Sequence, residues 1–290
     1  MARRPKPRRT TTRASAASDT EVQPFDPDKA VVASAALADR IKAAARLGYA
    51  PAPPVAAAAK AAAAVKPGKE RWPVKTGQDS AATQVGLAPG TKQHVIVDTT
   101  VEELVKMARP KGMKVVTSNQ KAFQSKRAPP VELTVWRVTA QVTAVKNEDD
   151  GDLHLALQGG SGETMIAESA RPDPKFLGKQ NPWLPAIRKV RTAIEGELSA
   201  ALSGISLVLG SDGKFVPPDS FEPSRLASAA VGPSVDAAAA LAQGLNFKAR
   251  IKPRKARLTG VGFFDRVHGQ LGVASTNGIE LHPLLDFEWL

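Results

Sequence analysis

The chain has 290 residues, a formal net charge of +12 and no cysteine. The absence of cysteine excludes disulfide bonds, thiolate metal sites and a cysteine nucleophile. The excess of lysine and arginine favours anionic partners, nucleic acid first and an anionic membrane surface second, because clustered cations release counterions from phosphates on binding.

Most of the positive charge lies in the first quarter of the chain. Residues 1–76 hold 15 lysines and arginines against 6 aspartates and glutamates, a net of +9. Residues 1–70 are rich in alanine and proline, and they have too few large apolar side chains to offset the entropy cost of ordering them. We predict a disordered basic arm over residues 1–70, with a partner-induced helix at 28–47, followed by one domain over 71–290.

The N-terminus and the hydropathy favour a cytoplasmic protein. The basic start is not followed by the apolar segment of a secretory signal. No stretch reaches the roughly 18 apolar residues of a membrane-spanning helix, since Lys60 interrupts the alanine-rich segment. We therefore expect a soluble protein without a membrane span.

The domain begins with a short strand and a helix. Residues 95–97 are apolar and predict a strand. The helix then runs to about residue 108, with Thr100 as its N-cap and Glu103 three residues later as the capping-box partner.

A three-stranded meander follows. Apolar and polar residues alternate over residues 131–146, which is typical of a half-buried strand. An acidic turn at 148–152 leads to a second strand, in which Asp152 and His154 face away from the leucines, and residues 164–168 form a third strand. The acidic turn lacks the ligand spacing of a calcium loop, so we interpret it as a solvated hairpin turn.

The C-terminal half contains a helix and two further strands. Apolar residues at helical spacing predict a helix over residues 182–202, and a Pro-, Ala- and Ser-rich stretch predicts a flexible insertion at 210–256. The last two strands are expected at 257–264, where two glycines suit a bend, and at 279–289. Three strands, a helix and two strands predict a mainly β fold with some α, a five-stranded OB-like antiparallel barrel with a helix between strands 3 and 4.

Three segments carry a family resemblance. They are VWRVTAQVTAVKNEDDGDLHLAL, GETMIAES and TGVGFFDRVHGQLGVASTNGIELHPLLDF, and the segment RWPVKTGQD accompanies them. Together they resemble uncharacterised bacterial proteins that end close to GFFDxxHGQxGVAxNxIELHPVL. The resemblance covers roughly residues 71–200 and 257–290, and it implies a shared fold without an established activity.

Histidines and carboxylates concentrate in these segments and form two overlapping candidate sets. The catalytic candidates are Asp265, His268, Glu280 and His282. The candidate ligands of a divalent metal are His154, Glu168, His268 and His282. Carboxylate oxygens and imidazole nitrogens on neighbouring strands suit such an ion, and Glu280 and His282, two residues apart, share one face of a strand. The alternative is that these side chains face solvent or satisfy backbone groups in turns, because no HxH or HExxH spacing occurs.

Basic residues supply candidates for phosphate contacts. They are Arg137, Lys248, Arg250, Lys252, Arg254, Lys255, Arg257 and Arg266, most of them in the predicted insertion. Trp136, Phe263 and Phe264 are candidates for base stacking.

Three functions are consistent with these patterns. The first is nucleic-acid binding of low sequence specificity. The second is metal-dependent cleavage of nucleic acid or another phosphodiester, with a divalent metal as cofactor. The third is a structural or interaction role with a protein partner.

Overall fold

The computed structural model of the chain describes most of the residues after position 21. The described ranges are 22–48, 70–115, 121–148, 150–179, 181–210, 212–220, 233–267 and 274–290. His268 and the parts 1–21 and 49–69 of the predicted arm lie outside them.

One ten-stranded mixed sheet organises the described residues. The strands are β1 (Val31–Val32), β2 (Val95–Thr99), β3 (Val135–Asn147), β4 (Leu153–Gln158), β5 (Thr164–Ser169), β6 (Ser206–Leu209), β7 (Phe215–Val216), β8 (Ser234–Asp236), β9 (Phe247–Phe264) and β10 (Ile279–Trp289). Their order in the sheet is β1-β2-β3-β4-β5-β10-β9-β7-β6-β8, and β3 also pairs with β9. The strands β3, β4, β5, β10 and β9 therefore pair in a closed cycle within the larger sheet.

Helices cover parts of this sheet. They are α1 (Ala35–Leu47), α2 (Trp72–Lys75), α3 (Val101–Leu104), α4 (Pro174–Leu177), α5 (Leu184–Leu202) and α6 (Ala237–Ala242). The apolar face predicted for α5 is buried, with Ile187, Ile194 and Leu198 fully inaccessible. Within the described ranges, no helix combines the length and the apolar character needed to cross a membrane.

The predicted five-stranded OB-like barrel is wrong. The meander, the helix and the two C-terminal strands exist as β3 to β5, α5, β9 and β10, but the sheet continues beyond them. On one side, β2 pairs in parallel with β3, and β1 pairs in parallel with β2. On the other side, β7 pairs with β9 and leads to β6 and β8. The strands β1, β7 and β8 have two or three residues each, too few to produce a periodic pattern in the sequence.

The stretch 210–256, predicted as a flexible insertion, contributes to the sheet. Its described residues include β7, β8, α6 and the first half of β9. Phe247 and Ala249 of β9 are fully buried, and Asn147 Nδ2 donates a hydrogen bond to the carbonyl oxygen of Leu245 at 2.9 Å. The basic run from Lys248 to Arg257 is therefore part of a paired strand and not a flexible clamp.

The helix predicted at residues 28–47 is also packed. It forms over Ala35–Leu47, with the Ser34 hydroxyl accepting a hydrogen bond from the backbone N–H of Leu37 as its N-cap. Ala38, Ile41 and Ala45 are buried against the sheet, so no partner is needed to induce the helix. The division of the chain at residue 70 stays a prediction.

Two apolar clusters lie on opposite faces of the strands β9 and β10. Leu258 and Leu281 belong to the larger cluster, whereas Val261 and Leu285 belong to the smaller one. Alternate residues of a strand point to opposite faces, so Glu280 and His282 share a face that Leu281 does not. The segment that contains α2 covers this second face, and the buried polar residues of the candidate site lie beneath it.

The close approach of β9 to Trp136 gives a test of the fold. A Cβ atom at Gly262 would lie 2.5 Å from the carbonyl oxygen of Val131 and 2.6 Å from Trp136 Nε1. We predict that Gly262→Ala lowers the free energy of unfolding by about 1–3 kcal/mol, because neither the backbone nor the packed indole has room to move. Denaturant unfolding measures the change.

A glycine in open space provides the control. A Cβ atom at Gly196, inside α5, meets nothing within 4 Å. Gly196→Ala should raise stability by up to about 1 kcal/mol, since alanine favours the helical conformation. Equal effects of the two substitutions would contradict the packing described here.

Candidate functional site

Four neighbouring strands bring the site together. His154 of β4 lies opposite Glu168 of β5 in the strand register, and Glu280 of β10 lies opposite Phe263 of β9. His282 of β10 contacts Glu168 directly through a hydrogen bond. Asp265 follows the end of β9 by one residue. Strand pairing therefore assembles side chains that are far apart in the sequence.

Glu168 occupies the centre of this group and is only 1% exposed. One carboxylate oxygen, Oε1, lies 3.0 Å from His154 Nε2. The other oxygen, Oε2, is hydrogen bonded to His282 Nδ1 and lies 3.4 Å from Lys75 Nζ. Burial alone would raise the pKa of Glu168, but the attraction of His154, Lys75 and His282 outweighs it and holds the pKa well below its usual range.

An ionised Glu168 determines which nitrogen of His282 carries a proton. A carboxylate only accepts hydrogen bonds, so His282 Nδ1, which is hydrogen bonded to Glu168 Oε2, must be an N–H donor. When the imidazole of His282 is neutral, the opposite nitrogen, Nε2, presents a lone pair. His154 Nε2 lies 3.0 Å from Glu168 Oε1 without forming a hydrogen bond to it, so this contact does not fix the tautomer of His154.

The lone-pair nitrogen of His282 faces Asp152. His282 is fully buried, and among the described residues its Nε2 has no hydrogen-bond partner. The nearest carboxylate oxygen, Asp152 Oδ2, lies 4.0 Å away, too far for a hydrogen bond. A polar nitrogen buried in this state costs about 1–3 kcal/mol.

The sequence led us to expect Asp152 in a solvated turn. The structure instead buries its side chain. It is 3% exposed, and its Oδ1 accepts a hydrogen bond from the backbone N–H of Arg171 at 3.1 Å. Burial first, and then repulsion from Asp150 and Glu168, raise the pKa of Asp152 to about 7. The turn therefore places an acidic group inside the site.

Two further carboxylates, those of Asp265 and Glu280, lie around Lys75. The ammonium of Lys75 lies 2.9 Å from Asp265 Oδ2, and the side chain of Glu280 lies nearby. Burial would lower the pKa of Lys75, but attraction to Asp265, Glu168 and Glu280 raises it well above its usual value. Burial and repulsion from Glu168 and Asp265 raise the pKa of Glu280 well above its usual range. The positive charge of Lys75 therefore does not neutralise the negative charges of Asp265, Glu168 and Glu280 together.

Arg71 fixes the segment that carries Lys75. Its guanidinium makes a two-pronged contact with Glu132, at 2.6 and 2.7 Å, and donates to the carbonyl oxygens of Phe123, Lys126 and Phe264. Its backbone has φ of 52°, in the left-handed region that non-glycine residues rarely adopt. The backbone of Arg71 is thus held in a strained conformation by buried hydrogen bonds.

Among the residues that the structure describes, two groups of side chains have ligand atoms close enough to share a metal ion. They are Asp152, Glu168 and His282, and Glu168, Asp265 and Glu280. Within each group the ligand atoms lie within 4.8 Å of one another. Lys75 already supplies a cation to the second group.

A pocket of about 240 Å³ opens onto the site. Its wall includes Asp152, His154, Glu168, Asp265 and Arg266. His154 Nδ1 lies 3.7 Å from Glu148 Oε1, another residue of the wall.

Most of the predicted site residues therefore converge. His154, Glu168, Asp265, Glu280 and His282 come together, and His268 lies outside the described residues. Sequence reasoning missed Asp152 and Lys75. Asp152 could have been found, because it directly precedes β4 and lies on the same side of the strand as His154. Nothing in the sequence linked Lys75 to Glu168 and Asp265, which follow it by 93 and 190 positions.

The residues predicted to contact phosphate lie in separate parts of the structure. Arg266 lines the pocket, whereas Arg137 forms an ion pair with Asp98 at 2.6 Å. The others lie along β9, where Arg257 pairs with Glu288 and Arg254 lies over the ring of Trp289. Those β9 residues are Lys248, Arg250, Lys252, Arg254, Lys255 and Arg257.

The predicted base-stacking residues are not accessible. Trp136, Phe263 and Phe264 are at most 1% exposed. They pack inside the fold and have no free face for a base.

Comparison of the chain with protein families, characterised proteins and solved structures finds no match. The resemblance to uncharacterised bacterial proteins stays a prediction.

The buried Asp152 predicts a pH-dependent stability. With a pKa of about 7 in the folded protein and about 4 in the unfolded chain, Asp152 keeps its proton only in the folded state between these values. Its contribution to stability is therefore lost as the pH rises from about 4 to 7, by an amount on the order of a few kcal/mol.

Asp152→Asn should remove this loss. In the presence of EDTA, the stability of Asp152→Asn relative to the wild type should increase from pH 4 to 7 and then level off. Denaturant unfolding across this range measures it, with Asp212→Asn, which removes an exposed carboxylate, as the control. A stability difference that does not change with pH would show that Asp152 is not buried as described.

Proposed function

We propose that the protein is a metal-dependent hydrolase of phosphodiesters, with one divalent cation bound between Asp152 and His282. The observation that carries the proposal is His282 Nε2, a buried lone-pair nitrogen without a hydrogen-bond partner among the described residues, which faces a carboxylate. A metal ion would satisfy this nitrogen and would also neutralise Asp152.

The distance between these two ligands is close to that required by one ion. A tetrahedral metal bound about 2.0–2.2 Å from each atom would hold them about 3.4 Å apart, so a small inward movement of Asp152 would complete the site. The observed separation of His282 Nε2 and Asp152 Oδ2 is 4.0 Å. Glu168 supports the site in the usual way, because a histidine that binds a metal generally donates its other N–H to a carboxylate.

The donor atoms favour particular metals. Imidazole nitrogen suits zinc and iron, whereas carboxylate oxygen alone suits magnesium, calcium and manganese. The imidazole of His282 should therefore make the site prefer Zn²⁺ to Mg²⁺ and Ca²⁺, with Mn²⁺ intermediate.

The chemistry requires a water, a proton acceptor and a leaving group. A divalent cation held by Asp152 and His282 would lower the pKa of a water molecule at the site and make its proton easier to remove. His154 lines the pocket, and its imidazole would accept the proton that the water loses as the water oxygen attacks phosphorus. The phosphorus–oxygen ester bond breaks, and the protonated His154 returns the proton to the leaving oxygen.

Charge supports an anionic ester as the substrate. Arg266 lines the pocket and supplies a cation for an anionic ester. The carboxylates of the same pocket repel an anion, so the metal must bind before the substrate.

Two histidine substitutions test metal binding and proton transfer separately. We expect His282→Ala to abolish tight binding of Mn²⁺ or Zn²⁺, measured by calorimetry. We expect His154→Ala to retain metal binding but to lower kcat for bis(p-nitrophenyl) phosphate by about 10²–10⁴-fold, the usual effect of removing a general base.

His94→Ala is the matched control, because His94 packs beside Phe25, away from the site. It should leave both metal affinity and kcat near the wild-type values. Hydrolysis that persists in His282→Ala, or a wild-type protein that binds neither metal, would refute the proposal.

A further inference from the structure

A row of cations continues the site across the sheet. Lys248 of β9 lies opposite Lys146 of β3, and Lys146 lies opposite His154 of β4. His154 in turn lies opposite Glu168. Residues directly opposite in antiparallel strands point to the same face, so the two lysines share the face of the candidate site.

Arg250 extends the row into a small basic surface. It lies two residues from Lys248 on the same strand and so points to the same face, opposite Ala144 of β3. We call Lys146, Lys248 and Arg250 the basic row. Neighbouring strands lie about 4.8 Å apart, which places the Cα atom of Lys248 about 10 Å from that of His154.

The positive charge of the basic row is poorly compensated. In the part of the chain that the structure describes, no carboxylate forms an ion pair with Lys248 or Arg250, whereas Lys146 contacts Glu148. Partial burial, and then the charges of Arg250 and Lys146, lower the pKa of Lys248, as expected for like charges on one face of the sheet. An anion bound across them would relieve this repulsion.

We propose that the basic row binds the phosphate backbone of a single-stranded polynucleotide and directs it toward the pocket. The role assigned to the pocket depends on the proposed hydrolysis. The role assigned to the basic row depends only on strand register and charge. The proposal thus names the substrate class of the candidate site.

The shape of the site favours a single strand over a duplex. Asp152, which is 3% exposed, lines a pocket of about 240 Å³, and His282 is fully buried. A flexible strand can turn one phosphate into such a pocket, whereas the backbone of a rigid duplex or the surface of a membrane remains outside it.

The basic row also predicts low sequence preference. Phosphate contacts hold a strand without reading its bases, and the aromatic side chains Trp136 and Phe263 are buried and unavailable for stacking. Binding should therefore depend strongly on salt and weakly on base composition.

The test compares two double variants that lose the same charges. Lys248→Ala with Arg250→Ala removes the uncompensated part of the basic row. Lys106→Ala with Arg188→Ala removes one exposed lysine and one exposed arginine from other elements. Fluorescence anisotropy with labelled 20-nucleotide DNA and RNA strands, in EDTA to prevent hydrolysis, measures affinity at several salt concentrations.

We expect the basic-row variant to bind both strands about tenfold more weakly at low salt. The slope of log affinity against log salt should fall by about 1.4, since each lost contact to a single strand contributes about 0.7. The control variant should retain most of the affinity and the slope. Equal losses in the two variants, no loss in the basic-row variant, or tighter binding to duplex or to anionic vesicles would overturn the proposal.

The small ester separates this inference from the proposed hydrolysis. The basic-row variant should hydrolyse bis(p-nitrophenyl) phosphate at the wild-type rate, because its lost cations lie outside the pocket. If the wild type hydrolyses the small ester but does not bind the strands, the basic row is refuted and the hydrolase stands. If it binds strands through the basic row but hydrolyses neither substrate, the hydrolase is refuted and the row remains a binding surface.

Discussion

The buried contact of Glu168 with two imidazoles, a hydrogen bond to His282 and a 3.0 Å approach to His154, is the constraint on which the candidate site depends. This carboxylate is buried, and the attraction of neighbouring groups keeps it ionised. Because it only accepts hydrogen bonds, it fixes the tautomer of His282 and leaves the other nitrogen of that ring, Nε2, toward Asp152. A side chain without an acceptor at this position would leave His282 Nδ1 without its hydrogen bond.

The fold holds this arrangement at a cost in stability. Asp152, Glu168, Asp265 and Glu280 are all at most 3% exposed, and Lys75 is their nearest ammonium. The raised pKa values of Asp152 and Glu280 express the repulsion that remains. Such strongly perturbed pairs of groups are typical of functional sites, where a ligand or a reaction uses the charge that the fold leaves uncompensated.

The backbone around Arg71 contributes to the same cost. Its left-handed conformation costs on the order of 1–3 kcal/mol. The two-pronged contact with Glu132, whose carboxylate also accepts the backbone N–H groups of Ala128 and Phe264, offsets that cost. Arg71 and Glu132 thus attach the segment of Lys75 to the end of β9.

Periodicity in the sequence predicted the regular elements well and the edges of the sheet poorly. The alternation in β3 and the helical spacing in α5 were visible because those elements are 13 and 19 residues long. The first half of β9 was missed because alternate lysines and arginines concealed its buried residues, which include Phe247 and Ala249. The predicted fold was therefore wrong, although many of the predicted strands and helices were present.

The site was predictable in its residue types and not in its geometry. His154 and Glu168 belong to adjacent strands of a predicted meander, so their proximity followed from the sequence. The contact between Glu168 and His282 joins residues 114 positions apart, and it depends on the parallel pairing of β5 with β10. Lys75 could not be found because its helix has four residues and no periodic pattern.

The tautomers of the histidines test the central claim most directly. The chain has four histidines, so long-range ¹⁵N–¹H spectra of labelled protein should resolve their ring nitrogens. The account predicts a protonated Nδ1 with a lone pair on Nε2 for His282. Addition of Zn²⁺ should then shift the Nε2 resonance of His282. The opposite tautomer of His282, or a zinc-induced shift confined to other histidines, would contradict the role assigned to Glu168.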